Sequence, residues 1–531
     1  MKHSLVKRKT MFIFKVSAIC LLAFAIGLPA YSEVIQTAIV ATGQYPTGAH
    51  SVISVDPAGG PRDVENNLLP TDTSDIVIDA YGGYFYRIER YQRDNITKFD
   101  VSAPQTPIWQ FSTLDSGEEG TSNPYKMIFV SHEKAYLLRY GKTNAWIVNP
   151  SATTVEEFKI GELDLSSYGD QDGLPEMNNG LIVNGELFIT FQRLNRNDNW
   201  SRNTAYVAVF DTTMDTEIDT GISNPDNVKG IPLPITNPGS IQYISENNTI
   251  YIQGSGQFES DYFGTPAEYS GGITTLNPVS FQTSLLVDDG DEANHPYGNI
   301  SGMVMVSSTK GYFVGYAGWG DNTLYGFNPT PSPFGVVTEV SNEYLKNKNI
   351  SGMDSGAYTD QNGMVWVCNA TDNEVVIVNS ADDSIDEKIS TELSPQSIVF
   401  CESVSLGYHV TPELWIRAVI RTEEKGDIEG VWKQGGSDTT AAGDQVIYGH
   451  FYASPAEVTW GSGQNPDLFV KIWFDHSGRV DVNFFHVSVP EIEVYSSFPD
   501  AGNPMEEGVA TMGTRYIRHW YENGMSYSEE N

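Results

Sequence analysis

One pattern recurs along this chain and constrains its fold more than any other feature: a short apolar run ends in Asp or Asn, and Pro often follows. The run appears as SVISVDP at 51–57, as AWIVNP at 145–150 and as VVIVN at 375–379. The residues that end its seven copies are Asp56, Asp100, Asn149, Asp211, Asn277, Asn328 and Asn379. A short polar side chain starts a turn and Pro cannot continue a central strand, so each copy is predicted to be a β-strand closed by a turn.

Further strand-like runs precede each copy, such as GYFYRIE at 83–89 and, before it, DIVIDA at 75–80. The Asp and Asn residues that end the copies lie between 44 and 66 residues apart. Four-stranded units repeated at this scale are typical of a β-propeller, in which each unit is a blade, whereas a β-solenoid needs a shorter and stricter period. We therefore predict an all-β chain with a seven-bladed β-propeller over residues 33–401.

The two ends of the repeat predict how the ring closes. The repeat begins with VIQTAIVAT at 34–42, which is the second strand of a blade, and ends with SIVF at 397–400, which is a lone innermost strand. The last strand can complete the first blade, which removes the open edges of the ring. GAYTD at 356–360 is predicted to be the innermost strand of the seventh blade. NISGM occurs twice, at 299–303 and at 349–353.

The last full unit, MVWVCNATDNEVVIVNSADDSIDEKISTELSPQSIVF, also resembles the YVTN-type propeller repeat. That repeat has a strand ending in Val-Thr-Asn, an apolar strand ending in Asp or Asn, and a Pro before the innermost strand. Val367-Cys368-Asn369, Val378-Asn379 and Pro395 match these places, and the other six units match loosely. The resemblance implies a WD40-like propeller over residues 34–400 in a periplasmic or cell-surface protein, and it carries over no catalytic residue.

The N-terminus predicts export. Residues 1–32 carry five basic and no acidic residues, an apolar run at 16–28, and small residues before a predicted cleavage after Ser32. These features are typical of a signal peptide, and the apolar run is short for a membrane anchor. Cleavage would change the net charge from −37 to −42. We predict an extracytoplasmic protein, in the periplasm, at the cell surface or secreted, that has no membrane span after cleavage and whose charge repels nucleic acid.

The length and spacing of the strand-like runs change after the predicted propeller. Residues 402–412 are predicted to be a linker, and residues 413–531 contain long alternating runs with Ser477-Gly478 as a hairpin turn. This pattern predicts a small antiparallel β-sandwich. The segment TRYIRHWYENG at 514–524 is predicted to be one short helix ended by Gly524.

Ligand-binding residues are predicted on the loops of one propeller face. Loops between second and third strands, and loops entering innermost strands, surround the central channel, where binding sites usually lie. The candidate ligand-binding residues on these loops are Tyr91, Arg93, Arg193, Trp200, Tyr262 and Trp319. Aromatic, Arg and Asn side chains suit a sugar or a peptide. The alternative is that these loops pack on each other.

Two acidic segments are candidate calcium sites, because calcium takes six to eight oxygen ligands. Their residues are Asp170 and Asp172 in YGDQDG, and Asp288, Asp289 and Asp291 in DDGDEANH. Neither segment has the spacing of an EF-hand, and solvated acidic turns are the alternative. The scattered histidines form no HxH or HExxH pair.

Cys368 and Cys401 are the cysteines that remain after cleavage, and they are a disulfide candidate in an oxidising compartment. Two buried free thiols are the alternative.

The preferred function is non-catalytic binding or scaffolding, with a protein, peptide or glycan as partner and the channel face as the binding surface. The alternative is a propeller enzyme that acts on a polysaccharide or a lactone and that could depend on a metal. An enzyme would need His, Glu or Arg side chains that converge in the channel. The fold alone does not decide, because propellers host both kinds of function.

Overall fold

The structure is a computed structural model that describes most of the repeat region and isolated strands after it. The described residues are 36–55, 62–260, 264–330, 336–339, 342–354, 363–402, 415–422, 426–439, 445–453, 469–474, 480–484, 492–498, 515–522 and 525–530. The predicted signal peptide lies outside these residues, and so does the predicted linker except for Glu402. No helix among the described residues is long and apolar enough to cross a membrane.

Seven antiparallel sheets, the blades, follow one another along residues 36–402. The first three are built from β1 (Gln36–Gln44), β2 (Thr47–Val55) and β3 (Val64–Thr71); β4 (Ile76–Tyr81), β5 (Tyr84–Glu89), β6 (Asn95–Asp100) and β7 (Pro107–Ser112); and β8 (Pro124–Phe129), β9 (Ala135–Arg139), β10 (Asn144–Val148) and β11 (Lys159–Asp164).

The fourth and fifth blades contain inserted segments. Their strands are β12 (Met177–Val183), β13 (Glu186–Phe191), the small hairpin β14 (Leu194–Asn195) and β15 (Ser201–Arg202), β16 (Tyr206–Asp211), β17 (Thr216–Glu217), β18 (Ile231–Pro232), β19 (Pro238–Ile244), β20 (Thr249–Gly254), β21 (Gly272–Leu276) and β22 (Thr283–Val287). The hairpin and the long loops around it account for the wide spacing of the repeat in this region.

The last two blades and the closing strand complete the ring. Their strands are β23 (Asn299–Ser307), β24 (Lys310–Tyr316), β25 (Asn322–Asn328), β26 (Val336–Glu339), β27 (Ile350–Asp354), β28 (Met364–Asn369), β29 (Glu374–Asn379), β30 (Ile385–Ser390) and β31 (Ser394–Glu402). Short helices occur only in connections of the described residues, at Val155–Phe158, Ser166–Tyr168, Arg196–Asp198, Ser245–Asn247 and Glu343–Leu345.

The ring closes as the sequence predicted. Strand β31 pairs antiparallel with β1, with Val399 opposite Ile39, and so becomes the innermost strand of the first blade. The innermost strands contact one another in the order β31, β4, β8, β12, β19, β23, β27 and back to β31. The fold is therefore an all-β, seven-bladed propeller whose first blade joins both ends of the repeat.

Each blade is covered on both faces, which explains the continuous apolar runs in the sequence. In β29, Val376 and Val378 pack against the sixth blade, while the alternate residues Val375 and Ile377 pack against the first. Side chains alternate between the faces of a strand, so a strand buried on both faces needs apolar residues at every position. The core therefore lies between blades as a ring of interfaces, and Trp366 is fully buried in one of them.

The turn residues also behave as predicted. The six described Asp and Asn residues that end third strands each accept a hydrogen bond from the backbone N–H two residues later, over 2.7 to 2.9 Å. This local bond starts the turn into the fourth strand. The first copy, Asp56, lies outside the described residues.

The seventh blade differs from the prediction. Its innermost strand is β27, which contains ISGMD, and residues 355–362 with the whole of the predicted GAYTD strand lie outside the described part of the chain. Strand β23 of the sixth blade contains the other NISGM copy. The duplicated pentapeptide was therefore the signal that marks both innermost strands.

The C-terminal region forms strands in one antiparallel order. They are β32 (Trp415–Thr422), β33 (Gly426–Thr439), β34 (Gln445–Ala453), β35 (Phe469–Phe474), β36 (Val480–Phe484), β37 (Ile492–Phe498), β38 (Arg515–Glu522) and β39 (Met525–Glu530), paired as β36-β35-β34-β33-β32-β37-β38-β39. The structure describes only the backbone of these strands, so the β-sandwich stays a prediction.

The short helix predicted at 514–524 is wrong. Strands β38 and β39 pair on either side of Asn523-Gly524. Asn-Gly between two strand-like runs is a strong hairpin signal, and the aromatic residues of Arg515–Glu522 suit a strand.

Candidate functional site: an aromatic cleft on the channel face

The candidate residues share one face because of the strand order. Neighbouring strands run antiparallel, so the loops between second and third strands leave the propeller on the same side as the connections from one blade to the next. We call this side the channel face. Its described loops include 113–123, 165–176, 192–205, 218–237, 255–260, 264–271, 288–298 and 317–321. Tyr262 belongs to this set by sequence but lies outside the described residues.

A cleft of about 450 Å³ lies on the channel face between the fifth and sixth blades. The aromatic side chains that line it are Tyr269, His295, Tyr297, Tyr316, Trp319 and Tyr325. They come from the two blades and from the connection between them. We call this site the aromatic cleft, and Trp319 is the one residue of the six that the sequence singled out.

Trp319 lies on the tight turn between β24 and β25. The turn is fixed by backbone hydrogen bonds: Ala317 N–H donates to the carbonyl of Asp321, and Asp321 N–H donates to that of Gly318, each over 3.0 Å. Gly320 has a φ of 76°, which glycine adopts at no steric cost. Trp319 is 86% exposed, so a large apolar surface faces solvent at the edge of the cleft.

His295 and Tyr269 form one wall of the cleft. Their rings are stacked with centroids 4.1 Å apart and planes inclined by 8°. Nδ1 of His295 donates to the carbonyl of Asp291 over 2.9 Å. The Asp291 carboxylate accepts from the N–H groups of Ala293 and Asn294. Asp291, a predicted calcium ligand, therefore shapes the loop that positions His295.

The floor of the cleft continues into the core. Tyr297 meets Tyr325 edge to face at 5.0 Å, and Tyr325 stacks on Phe313 at 5.3 Å. Phe313 is fully buried in the interface between the fifth and sixth blades. Because close-packed cores resist rearrangement, these rings are held in place before any ligand arrives.

The cleft is electrostatically negative. Glu259 and Asp321 line it, and within the described part of the chain neither carboxylate makes a hydrogen bond or an ion pair. Asp289 is buried nearby; it accepts from Gly271 N–H over 3.2 Å, and its Oδ1 has no described partner. Burial and the adjacent Asp288 raise the pKa of Asp289 to about 7.

The hydroxyl of Tyr269 lies in the same negative electrostatic potential. Burial, Asp289 and Glu259 together raise the pKa of its hydroxyl. Nearby negative charge disfavours a phenolate, so this direction of change agrees with the carboxylates around the cleft.

The other predicted ligand residues lie elsewhere on the channel face. Tyr91 is exposed, and Arg93 pairs with Asp72 at 2.9 Å. Arg93 lines a second cavity of about 520 Å³ between the first and second blades, together with the buried pair of Arg87 and Glu89. This cavity is lined mainly by polar and charged residues and has no aromatic lining residue among those described.

Arg193 is an anchor of the fold. It is 5% exposed, and its guanidinium donates to the carbonyls of Tyr168 and Thr204 and to the carboxylate of Asp226, each over 2.8 to 2.9 Å. Trp200 lies on the same insertion, is 37% exposed, and has the Arg196 guanidinium 5.2 Å from its ring centroid. Trp200 does not line the aromatic cleft.

The predicted calcium ligands Asp170 and Asp172 make hydrogen bonds within the loop 165–176 and between it and the loop 192–205. Asp170 accepts from Asn203 over 2.7 Å, and Asp172 accepts from the N–H groups of Leu174 and Arg196. Burial raises the pKa of Asp170. Across the described residues no group of three or more His, Cys, Asp or Glu side chains is placed to hold a metal ion. Asp288 likewise accepts from Gly290 N–H and caps a turn.

Glu176 is a buried acidic residue that was not predicted from the sequence. It is 0% exposed, its Oε2 accepts from Leu194 N–H, and its Oε1 lies 3.1 Å from Arg196 without a hydrogen-bond geometry. Burial raises the pKa of Glu176 to about 8, although Arg196 opposes the change. The signal was positional, because three other blades place Asn123, Asn237 or Gly298, each with positive φ, just before the innermost strand.

The disulfide considered from the sequence is not formed. Cys368 and Cys401 are free buried thiols. Cys368 packs between the seventh and first blades, whereas Cys401 packs between the first and second. The two thiols therefore lie on opposite sides of the first blade.

No protein-family model matches the chain, the YVTN-type repeat included, and no curated protein matches it. Solved propellers are similar in fold. A candidate 6-phosphogluconolactonase from Bacteroides fragilis has a TM-score of 0.48 and 10% identity over 70% of this chain and 99% of its own. A streptogramin B lyase scores 0.41 at 11% identity over 76% and 96%. AztD from Citrobacter koseri scores 0.39 at 11% identity over 86% and 99%. These likenesses concern the fold alone.

Proposed function

We propose that this chain is an extracytoplasmic, non-catalytic binding protein that holds a small organic ligand in the aromatic cleft. The observation that carries the proposal is the cleft itself, in which six aromatic side chains surround about 450 Å³. Ligand pockets usually have volumes of about 300 to 1,000 Å³ and combine aromatic walls with a few polar groups. Glu259 and Asp321 are such groups.

The support of the rings favours binding. Tyr325 and Tyr297 rest on the buried Phe313, so closing the cleft on a ligand orders few new side chains. Side chains that are already ordered lower the entropic cost of association. Trp319 contributes the largest exposed ring. Trp residues that become buried when the partner binds often contribute most of the binding energy.

The same proposal includes export by the N-terminal signal peptide and a resemblance to the YVTN-type propeller repeat. The basic and apolar N-terminal segment and the YVTN-type pattern at 364–400 support a periplasmic or cell-surface protein. N-terminal sequencing of the protein from a cell fractionation is expected to start at Glu33 in an extracytoplasmic fraction. Recovery of the full-length chain from the cytosol would contradict this part of the proposal.

The binding proposal is tested with Trp319→Ala. The chain without residues 1–32 is screened by thermal shift against saccharides, organic cations and short peptides, and positive ligands are measured by calorimetry. Binding to the native state raises the melting temperature. We expect Trp319→Ala to weaken binding about 10- to 30-fold, as for a central aromatic contact.

Trp200→Ala is the matched control, because Trp200 is exposed on the same face but outside the cleft. It is expected to leave the affinity unchanged. Equal losses in both variants, or a ligand that binds the Trp319→Ala variant normally, would place binding away from the aromatic cleft.

A further inference from the structure

We infer that the aromatic cleft selects an organic cation, a ligand whose ammonium or guanidinium group lies against the aromatic rings. The inference rests on the proposed function, because it names the ligand class of the same cleft. Three observations carry it: the ring lining, the carboxylates without partners, and the absence of Lys and Arg from the described residues that line the cleft.

The rings supply the first part of the recognition. The faces of Trp and Tyr rings carry negative electrostatic potential and attract a cation placed within about 6 Å of the ring centroid. Trp319 and Tyr316 come from the sixth blade and Tyr269 comes from a loop of the fifth. A weakly hydrated organic cation gains from such a surface because its alkyl groups are also removed from water.

The carboxylates supply the second part. Two acidic side chains elsewhere on the channel face are used by the fold: Asp94 accepts three hydrogen bonds, and Asp226 accepts from Arg193 and Tyr206. Glu259 and Asp321 differ, because they line a cavity and have no partner within the described residues. Two unpaired carboxylates in a chain of net charge −37 favour a positive ligand.

The third part is a contrast between cavities. The polar cavity between the first and second blades contains Arg87 and Arg93, and another beside Ser201 contains Arg202, which pairs with Glu268. No Lys or Arg is among the described residues that line the aromatic cleft. An anionic ligand would meet the carboxylates of Glu259 and Asp321 with no Lys or Arg to offset them, whereas a cation meets no Lys or Arg that competes with it.

The cation is expected to be organic. Hard metal ions need several oxygen ligands at short distance, and aromatic rings do not supply them. The described side chains include no group of three His, Cys, Asp or Glu residues placed around a metal. Rings together with separated carboxylates instead match a bulky ammonium or guanidinium group.

The test compares a cation with a neutral molecule of the same shape. Choline and its uncharged isostere 3,3-dimethyl-1-butanol are titrated calorimetrically into the chain without residues 1–32, with tetramethylammonium, arginine amide and maltose in parallel. We expect at least one cation to bind 10-fold or more tightly than the isostere and maltose. Higher salt is expected to weaken that binding.

Two variants locate the site. Asp321→Asn keeps the shape of the side chain and is expected to weaken cation binding about 5- to 10-fold without affecting a neutral ligand. Trp319→Ala is expected to weaken both. Asp198→Asn, on the fourth-blade insertion outside the cleft, is the matched control and is expected to change neither.

The outcomes separate the two proposals. If maltose or the isostere binds as well as the cations and Trp319→Ala abolishes that binding, the cation inference is wrong and the proposed function stands. If no ligand of the panel binds, or if binding is insensitive to both cleft variants, both are overturned.

Discussion

The buried Glu176 leads to a quantitative prediction about stability and pH. Its carboxyl group is fully buried beside Arg196, and burial raises its pKa from 4.5 to about 8. The folded protein therefore keeps the proton of Glu176 at pH values where the unfolded chain has lost it. Replacing Glu176 with Gln removes this titration and keeps the size and polarity of the protonated acid.

The sign and the size follow from proton linkage. Between pH 4.5 and about 8 the folded state binds more protons than the unfolded state, so Glu176 makes the wild type less stable as the pH rises. Each pKa unit corresponds to about 1.4 kcal/mol. We expect Glu176→Gln and the wild type to be similarly stable at pH 4.5. The variant is then expected to gain about 3 kcal/mol by pH 7 and about 5 kcal/mol above pH 8.

The assay is chemical denaturation of both proteins at pH values from 4.5 to 9, followed by tryptophan fluorescence. Ionisable groups away from Glu176 contribute equally to both proteins, so the difference in unfolding free energy reports Glu176 and the charges of Arg196, Asp172 and Asp170 that act on it. Glu133→Gln, a change at an exposed loop residue, is the control and is expected to show no pH-dependent difference. A constant difference across the whole range for Glu176→Gln would refute the reasoning.

Two further predictions concern other buried groups. In the chain without residues 1–32, the native protein is expected to react very slowly with a thiol reagent and the unfolded protein to expose two thiols, because Cys368 and Cys401 are buried and burial raises the pKa of Cys368. Finding no free thiol after unfolding would instead indicate a disulfide. Affinity for an organic cation is expected to rise between pH 6 and pH 8, because Asp289, which faces Asp288, Glu268 and Tyr269, gains negative charge as it ionises. Asp289→Asn is expected to flatten that part of the profile, and an unchanged profile would exclude Asp289.

The strands and turns were predictable because their causes are local. Asp100 and its equivalents bond to the backbone only two residues away, so their role is visible in a short window of sequence. The strands were equally visible, because blades covered on both faces give unbroken apolar runs such as Val375–Val378. Where the local signal was weak, as in the innermost strand of the seventh blade, the prediction chose the wrong segment.

The candidate site was predictable only in part. The sequence placed Trp319 on an exposed loop of the channel face, because loop position follows from strand order. It did not connect Trp319 with Tyr269 and His295, which come from the preceding blade and its connection. It also did not show that Trp319 is exposed while Arg193 is buried, with a guanidinium that donates hydrogen bonds to three loops of the fold.

The sequence by itself determined the seven repeats, the turn that follows each third strand and the closing role of β31, because these depend on periodicity and neighbouring residues. The tertiary structure decided which side chains meet between blades. It separated Cys368 from Cys401 by a whole sheet, gathered the rings of the aromatic cleft, and buried Glu176 away from water. Burial and proximity arise from contacts between distant parts of the chain, and these contacts exist only once the blades are packed together.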